Sequence, residues 1–240
     1  MISFLLVTAC VTPQRELRSE TRTKLGTAYI AEGNPVDAIS ALEEAVQLNP
    51  RNAAAWEKLG IAYYAKGARD KAEKAFTKAI KLEPEKAEIH NNYGLMLLNE
   101  NRVDDAIEHF NIALADITYR NTALVLNNLG QAYYQKAEYQ SAVTILTQCI
   151  DRAPNLCQAR FNRGLSYRAM DKTALALSDF EEVIELCGDV ATGAYYQAAE
   201  IFIAQGDIPA GCSYYQTVMR EAGKSTLGEQ ASQRHTEECQ

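Results

Sequence analysis

The sequence predicts an all-α fold, a right-handed superhelix (α-solenoid) of about six two-helix units closed by a C-terminal capping helix. Three observations carry this. Gly26, Gly60, Gly94, Gly130 and Gly164 recur at spacings of 34, 34, 36 and 34 residues. Ala38, Ala72, Ala106, Ala142 and Ala176 keep the same spacings. A third track of small residues runs through Ala45, Ala79, Ala113 and Cys149, and Pro50, Pro84 and Pro154 close three of the units. A period of this length marks stacked supersecondary units, none of which can bury its apolar face alone.

The units fall at 19–52, 53–86, 87–122, 123–156, 157–191 and 192–225. In each, the periodic glycine lies between large neighbours, as in Leu59-Gly60 and Tyr63; in the fifth a charged stand-in, Arg163, precedes it. Small residues such as Gly60 and Ala72 let the two helices of a unit approach, while Trp56 and Phe76 fill the space between neighbouring pairs. Gly33, Gly67, Asn101, Asp171 and Gly206 supply the turn, because Gly, Asn and Asp most readily leave the helical region. Proline at the end of the second helix stops it. Two extra residues near Asp116–Asn121 predict a longer loop. The sixth unit is weaker: Ala199 replaces the glycine, Phe202 the tyrosine, Gly206 marks the turn and Tyr215 is the late aromatic. Residues 226–240 are expected to cap the last apolar side.

The unit Ala53–Lys86 resembles the tetratricopeptide repeat at Trp56, Leu59, Gly60, Tyr63, Gly67, Ala72, Phe76, Ala79 and Pro84. The resemblance covers about residues 19–225. It implies antiparallel helices A and B in each unit and a concave face lined by helix A.

The composition narrows the function. The chain has 240 residues, 47% of them apolar, and 31 acidic against 24 basic side chains give a net charge of −7. That sign opposes a phosphate backbone, so no nucleic acid is expected as partner. Catalytic motifs with a phosphate loop, nucleophile elbow or zinc-binding helix are missing, so neither an enzyme, a cofactor nor a small-molecule substrate is expected. Of the three histidines, His90 occupies the Trp position of its unit and reads as an inter-helix residue, His109 as a helix B surface residue and His235 as part of the tail. His235 and Cys239 are four apart, but two ligands do not make a metal site.

Protein binding fits better. Position six of helix A is Asn92, Asn128 and Asn162 in three successive units, with Gln197 in the sixth. An amide offers both a donor and an acceptor, so such a column can pair with the backbone of an extended peptide, as similar tetratricopeptide proteins do. Around it stand Tyr64, Asn91, Leu95, Leu98, Asn127, Tyr134, Phe161, Leu165 and Tyr196, a groove suited to an apolar peptide or helix. A clamp for a C-terminal carboxylate would need bases at positions two, five and six of helix A. Those positions hold Glu20, Thr23 and Lys24, then Ala54, Glu57 and Lys58, then Glu88, Asn91 and Asn92. Only two are lysines, so a clamp is not expected.

The six cysteines differ by position. Cys149 lies on the small-residue track and reads as a buried hydrophobe. Cys157 begins a helix A and Cys187 follows the end of its helix B, so an antiparallel hairpin would set them side by side for a disulfide; Cys212 could likewise staple Cys239. Both bridges call for an oxidising compartment. Cys10 closes Val7-Thr8-Ala9-Cys10, which resembles a bacterial lipobox, in which the cysteine is acylated. Residues 1–9 then read as a shortened lipoprotein signal segment whose basic start a translation start further upstream would supply. Residues 10–18 are the lipidated tether, at most about 30 Å long when extended. Val11 after the cysteine favours the outer membrane by the same resemblance.

A lipobox followed by six tetratricopeptide units is similar to the type IV pilus pilotin family, the lipoproteins PilF, PilW and Tgl. The resemblance implies a protein lipid-anchored at the periplasmic face of the outer membrane. There it would bind the secretin subunit of the type IV pilus and promote its localisation and multimer assembly. The alternatives are a generic periplasmic scaffold in envelope assembly and a cytosolic co-chaperone or regulator with reduced cysteines.

Overall fold

Thr12 is extended and its side chain accepts from the Arg15 N–H, so the chain enters its first helix at Pro13, a residue suited to a helical first turn. In the computed structural model, which describes residues 11–188 and 191–239, thirteen α-helices and no strands follow among the described residues. The chain divides at Tyr119/Arg120 into two units. The first contains the hairpins α1 (Pro13–Ala31) with α2 (Pro35–Leu48), α3 (Ala53–Ala65) with α4 (Arg69–Leu82), and α5 (Ala87–Asn99) with α6 (Val103–Ala115). The second contains α7 (Thr122–Gln135) with α8 (Tyr139–Arg152), α9 (Cys157–Ala169) with α10 (Thr173–Cys187), and α11 (Thr192–Ala204) with α12 (Ile208–Ala222), followed by α13 (Thr226–Glu238) on α12. Within each unit successive hairpins stack, the second helix of one against the first of the next. This is the all-α, solenoid-like helical repeat that the glycine and alanine spacings predict.

The glycine column explains the spacing. A methyl group on Gly60 would lie 2.8 Å from the Phe76 ring, one on Gly94 2.8 Å from Phe110 and one on Gly164 2.7 Å from Phe180. Gly26 and Gly130 receive Leu42 and Leu146 in the same way. Each periodic glycine is thus a socket for the side chain sixteen residues later in its own hairpin. Phe76, expected between hairpins, fills the socket of its own hairpin and also stacks on Tyr93 of the next, with centroids 5.2 Å apart.

The hairpin turns share one hydrogen-bond scheme. Asn34, Ala68, Arg102, Glu138, Lys172 and Asp207 each donate a backbone N–H to the carbonyl of Tyr29, Tyr63, Leu97, Tyr133, Tyr167 or Phe202 respectively, five residues earlier. The residue before each donor is left-handed. Gly33, Gly67, Asn101, Asp171 and Gly206 occupy that position as expected, and so does Ala137, at φ 62°, which the sequence did not mark as a turn.

Two expectations need correction. Residues 13–18, expected within an extended tether, are the first turns of α1, where Arg15 reaches the Gln47 carbonyl at 2.9 Å and so docks on α2. His109, read as a surface residue, is half-buried and faces His90, with the two Nδ1 atoms 2.8 Å apart. Residues 1–9 and Cys10 lie outside the described residues, as does the last residue of the cap. No helix among the described residues is long and apolar enough to cross a membrane.

Candidate peptide-binding face

On helix A of each hairpin, positions two, five, six, nine and twelve of the repeat share one side of the helix. In the first unit, Asn92 on α5 donates from Nδ2 to Glu57 on α3. Lys58 bonds the same carboxylate at 3.1 Å and Glu88 at 2.7 Å. Glu57 is only 2% exposed, and burial pushes its carboxyl above the usual range despite the neighbouring ammonium. Burial pulls the Lys58 ammonium down, but Glu57 and Glu88 outweigh it and hold the group above its ordinary value. Its charge is committed to Glu57 and Glu88.

In the second unit, Asn162 on α9 donates to Asn127 Oδ1 on α7 at 3.1 Å and accepts from Gln158 at 3.0 Å. The geometry repeats that of Asn92 and Glu57: the amide at position six reaches the acceptor at position five one hairpin earlier. The amides at 92 and 162 are therefore staples between successive A helices. Asn162 is 8% exposed and bonded at both ends. Asn91, Asn127 and Leu98 are buried too.

The other residues expected on this face, Tyr64, Leu95, Asn128, Tyr134, Phe161, Leu165 and Tyr196, are half-buried, as is Asn92. Tyr134 tilts against Tyr139 at 5.5 Å, and Tyr196 packs edge-on to Tyr215 at 5.7 Å. Phe161 packs against Phe180 and lies over Gly193, so much of its ring serves the junction of α9, α10 and α11. What remains accessible is, in the first unit, the edges of Tyr64 and Leu95 and, in the second, those of Tyr134, Phe161, Leu165 and Tyr196, with Gln197 held by Arg168. Such a surface can bind an apolar segment by contact; among the described residues no group of three metal-ligating side chains exists.

Residue type alone did not reveal several partners. Trp56 donates its indole N–H to the Pro50 carbonyl at 3.0 Å, His90 Nε2 lies 2.9 Å from the Pro84 carbonyl, and Arg160 bonds the Pro154 carbonyl. Three unlike side chains share one duty, an N–H aimed at the carbonyl six residues earlier. Because a carbonyl only accepts, His90 carries a proton on Nε2, and the 2.8 Å contact between its Nδ1 and that of His109 shares one further proton. Arg163, the charged stand-in before Gly164, makes a two-pronged pair with Asp179, at 2.9 and 2.7 Å. The offset of sixteen residues that joins glycine and socket filler also joins this pair, and could have found it.

The structure pairs Cys157 with Cys187 and Cys212 with Cys239, with Cα atoms 6.6 and 5.9 Å apart, separations a disulfide spans. The first ties the two ends of the α9–α10 hairpin; the second ties α12 to the capping helix. Cys239 is thus engaged in a bridge, and His235 meets Gln216 instead of a metal partner. Cys149 is a buried free thiol that donates to the Ala123 carbonyl, and burial pushes it up to about 11.

Profiles described as tetratricopeptide repeat match residues 29–91, 85–155, 158–189 and 193–225. No curated protein matches the sequence. Among solved structures, PilW, described as a widely conserved type IV pilus biogenesis factor, superposes with a TM-score of 0.82 at 23% identity, over 88% of this chain and 97% of its own. PilF of Pseudomonas aeruginosa gives 0.80 at 18% identity, over 92% and 99%. YrrB, described as having an unusual peptide-binding site, gives 0.60 at 18%, over 80% and 98%. At these identities the likeness is one of fold, and with the profiles spanning most of its length the chain belongs to the tetratricopeptide repeat family.

Proposed function

We propose that this protein is a pilotin of type IV pilus biogenesis: a lipid-anchored scaffold, not an enzyme, that binds the pilus secretin and promotes its multimer assembly at the outer membrane. The observation that carries this reading is the match in fold to PilW and PilF, which covers 88% and 92% of this chain and 97% and 99% of theirs. The lipobox-like Val7-Thr8-Ala9-Cys10 supports the anchor, and the two cysteine pairs support an oxidising compartment such as the periplasm. Acyl chains contribute about 0.8 kcal/mol per buried CH₂, so the anchor holds the repeats at the membrane while contacts on the helix A face stay reversible. The half-buried aromatic and aliphatic edges would receive an extended or helical segment of the secretin.

The test is deletion of the gene followed by blotting for heat-resistant secretin multimers. Multimers should vanish and return with the wild-type gene, while Cys10→Ala should fail to restore them at the outer membrane. Intact multimers in the deletion strain would refute the assignment and leave a generic envelope scaffold. Reduced cysteines and no incorporation of labelled palmitate would point instead to a cytosolic regulator.

A further inference from the structure

The exposed face of α4 carries Lys71, Lys74, Lys78 and Lys81, at spacings of three, four and three that place them on one side of the helix. The opposite side, Ala72, Phe76 and Ala79, is fully buried. The stripe is about 15 Å long, from the helical rise of about 1.5 Å per residue. None of the four amines has a carboxylate within ion-pair distance among the described residues. The nearby acids are occupied elsewhere: Glu73 bonds Arg102 at 2.7 Å and Tyr93 at 3.0 Å, and Glu43 accepts from Tyr63. Asp70 stands at the N-terminal end of the helix. On a chain of net charge −7, four such lysines in a row are a local reversal of sign.

Beside the stripe a groove of about 590 Å³ opens between α2, α3 and α4. Its floor is Val46, Trp56, Leu59 and Ala75, and Lys71, Lys74 and Lys78 stand on its rim. Trp56 is held in place by its bond to the Pro50 carbonyl, and Lys71 lies 5.2 Å above the Tyr63 ring. Glu43, engaged by the Tyr63 hydroxyl, and Gln47 line the side formed by α2, so the hollow is a fixed tryptophan with three lysines along its α4 side, the composition of an interaction hot spot.

We propose that this groove docks an acidic peptide segment of a partner protein, one large apolar side chain entering over Trp56 while carboxylates on either side pair with Lys71, Lys74 and Lys78. Charge complementarity chooses an acidic occupant, and the hollow chooses a peptide: a flat lipid headgroup layer could meet the lysines but could not fill the floor. The inference rests on α2, α3 and α4 alone and is independent of the pilotin assignment.

Trp56 is the chain's single tryptophan, so its emission reads the groove directly. The probe is an amidated ten-residue peptide of Asp and Glu with one central Phe, titrated into the full protein. A saturable change in Trp56 emission is expected, weakening roughly tenfold when salt rises from 50 to 300 mM. Lys74→Glu combined with Lys78→Glu, both at exposed sites, should reduce affinity roughly tenfold or more with an unchanged circular dichroism spectrum. Replacing the peptide's Phe by Ser should weaken it by a similar factor. Absence of a saturable response, or a response indifferent to the charge reversals, overturns the proposal. So does a Trp56 shift produced by phosphatidylglycerol vesicles and not by the peptide, which would make the stripe a membrane contact, or one produced by self-association in sedimentation.

Discussion

At Gly60 the hairpin has no room for even one more carbon. Alanine is worth up to about 1 kcal/mol over glycine in a helix interior, yet a methyl here would meet the Phe76 ring at 2.8 Å. The ring is fully buried and stacked on Tyr93, so it cannot swing away without moving the next hairpin. Gly60→Ala should therefore destabilise the protein by about 1–3 kcal/mol, the usual cost of overpacking, read as a lowered urea midpoint; a gain in stability would mean the socket is loose. Ala137 is the converse case. It holds a left-handed turn at φ 62°, a conformation that costs a side chain about 1–2 kcal/mol, and glycine gives part of that back as unfolded-chain entropy. Ala137→Gly should stabilise by about 0.5–1 kcal/mol in the same assay. The glycine column was legible because, at the five positions where Leu or Phe sixteen residues later fills the socket, a methyl group would clash. The turn at Ala137 was hidden because alanine, the best helix former, gives no sign that the backbone leaves the helix.

At the level of elements, α5 and α6 are joined by an imidazole pair whose chemistry depends on pH. Burial holds His109 below its ordinary value, and the facing His90 ring adds to that, while Glu108 and Asp105 pull upward and Arg102 downward. With His90 protonated on Nε2 toward Pro84, the 2.8 Å contact between the Nδ1 atoms holds one proton and cannot hold two. A base depressed in the folded state contributes stability that is complete above its unfolded value, near 6.5, and lost as pH falls through the lower folded value. Unfolding free energy should thus be flat above about pH 7 and decline below about 6.5, and His109→Gln should flatten that decline; an equal decline in the variant would place its cause elsewhere. The sequence located His90 correctly as an inter-helix residue but missed its partner, because nineteen residues separate them and helix B surfaces do carry histidines. The amide column shows the same limit. Its spacing was visible, but whether Asn92 or Asn162 stays open depends on the acceptor one hairpin earlier, Glu57 or Asn127, and no single-unit pattern includes that residue. The capping helix is decided the same way: Arg234 bonds Glu200 at 2.9 Å, thirty-four residues back, and the Cys212–Cys239 bridge fastens its end.

Across the whole molecule the covalent ties are unevenly placed. Both cysteine pairs lie after Arg120, in the second unit, whereas the described part of the first unit contains no cysteine. Each bridge closes a loop of 30 or 27 residues, for which lost chain entropy gives about 3.5 kcal/mol of stabilisation apiece. Repeat arrays unfold through local equilibria governed by each repeat and its neighbours, so a cut in one unit need not be felt in the other. Trp56, in the first unit, and the total helical signal therefore make two separate probes. With the bridges intact, urea should unfold both probes close together. With a thiol reductant present, the helical signal should fall in two steps, the second unit melting earlier, while the Trp56 midpoint stays where it was. A Trp56 midpoint that moved down with the helical signal would mean that the two units unfold as one. A helical signal untouched by the reductant would mean that the bridges contribute nothing to equilibrium stability, and that the capping helix is held by the packing of Leu227 and Ala231 on Tyr215 and Val218 and by the Arg234–Glu200 pair.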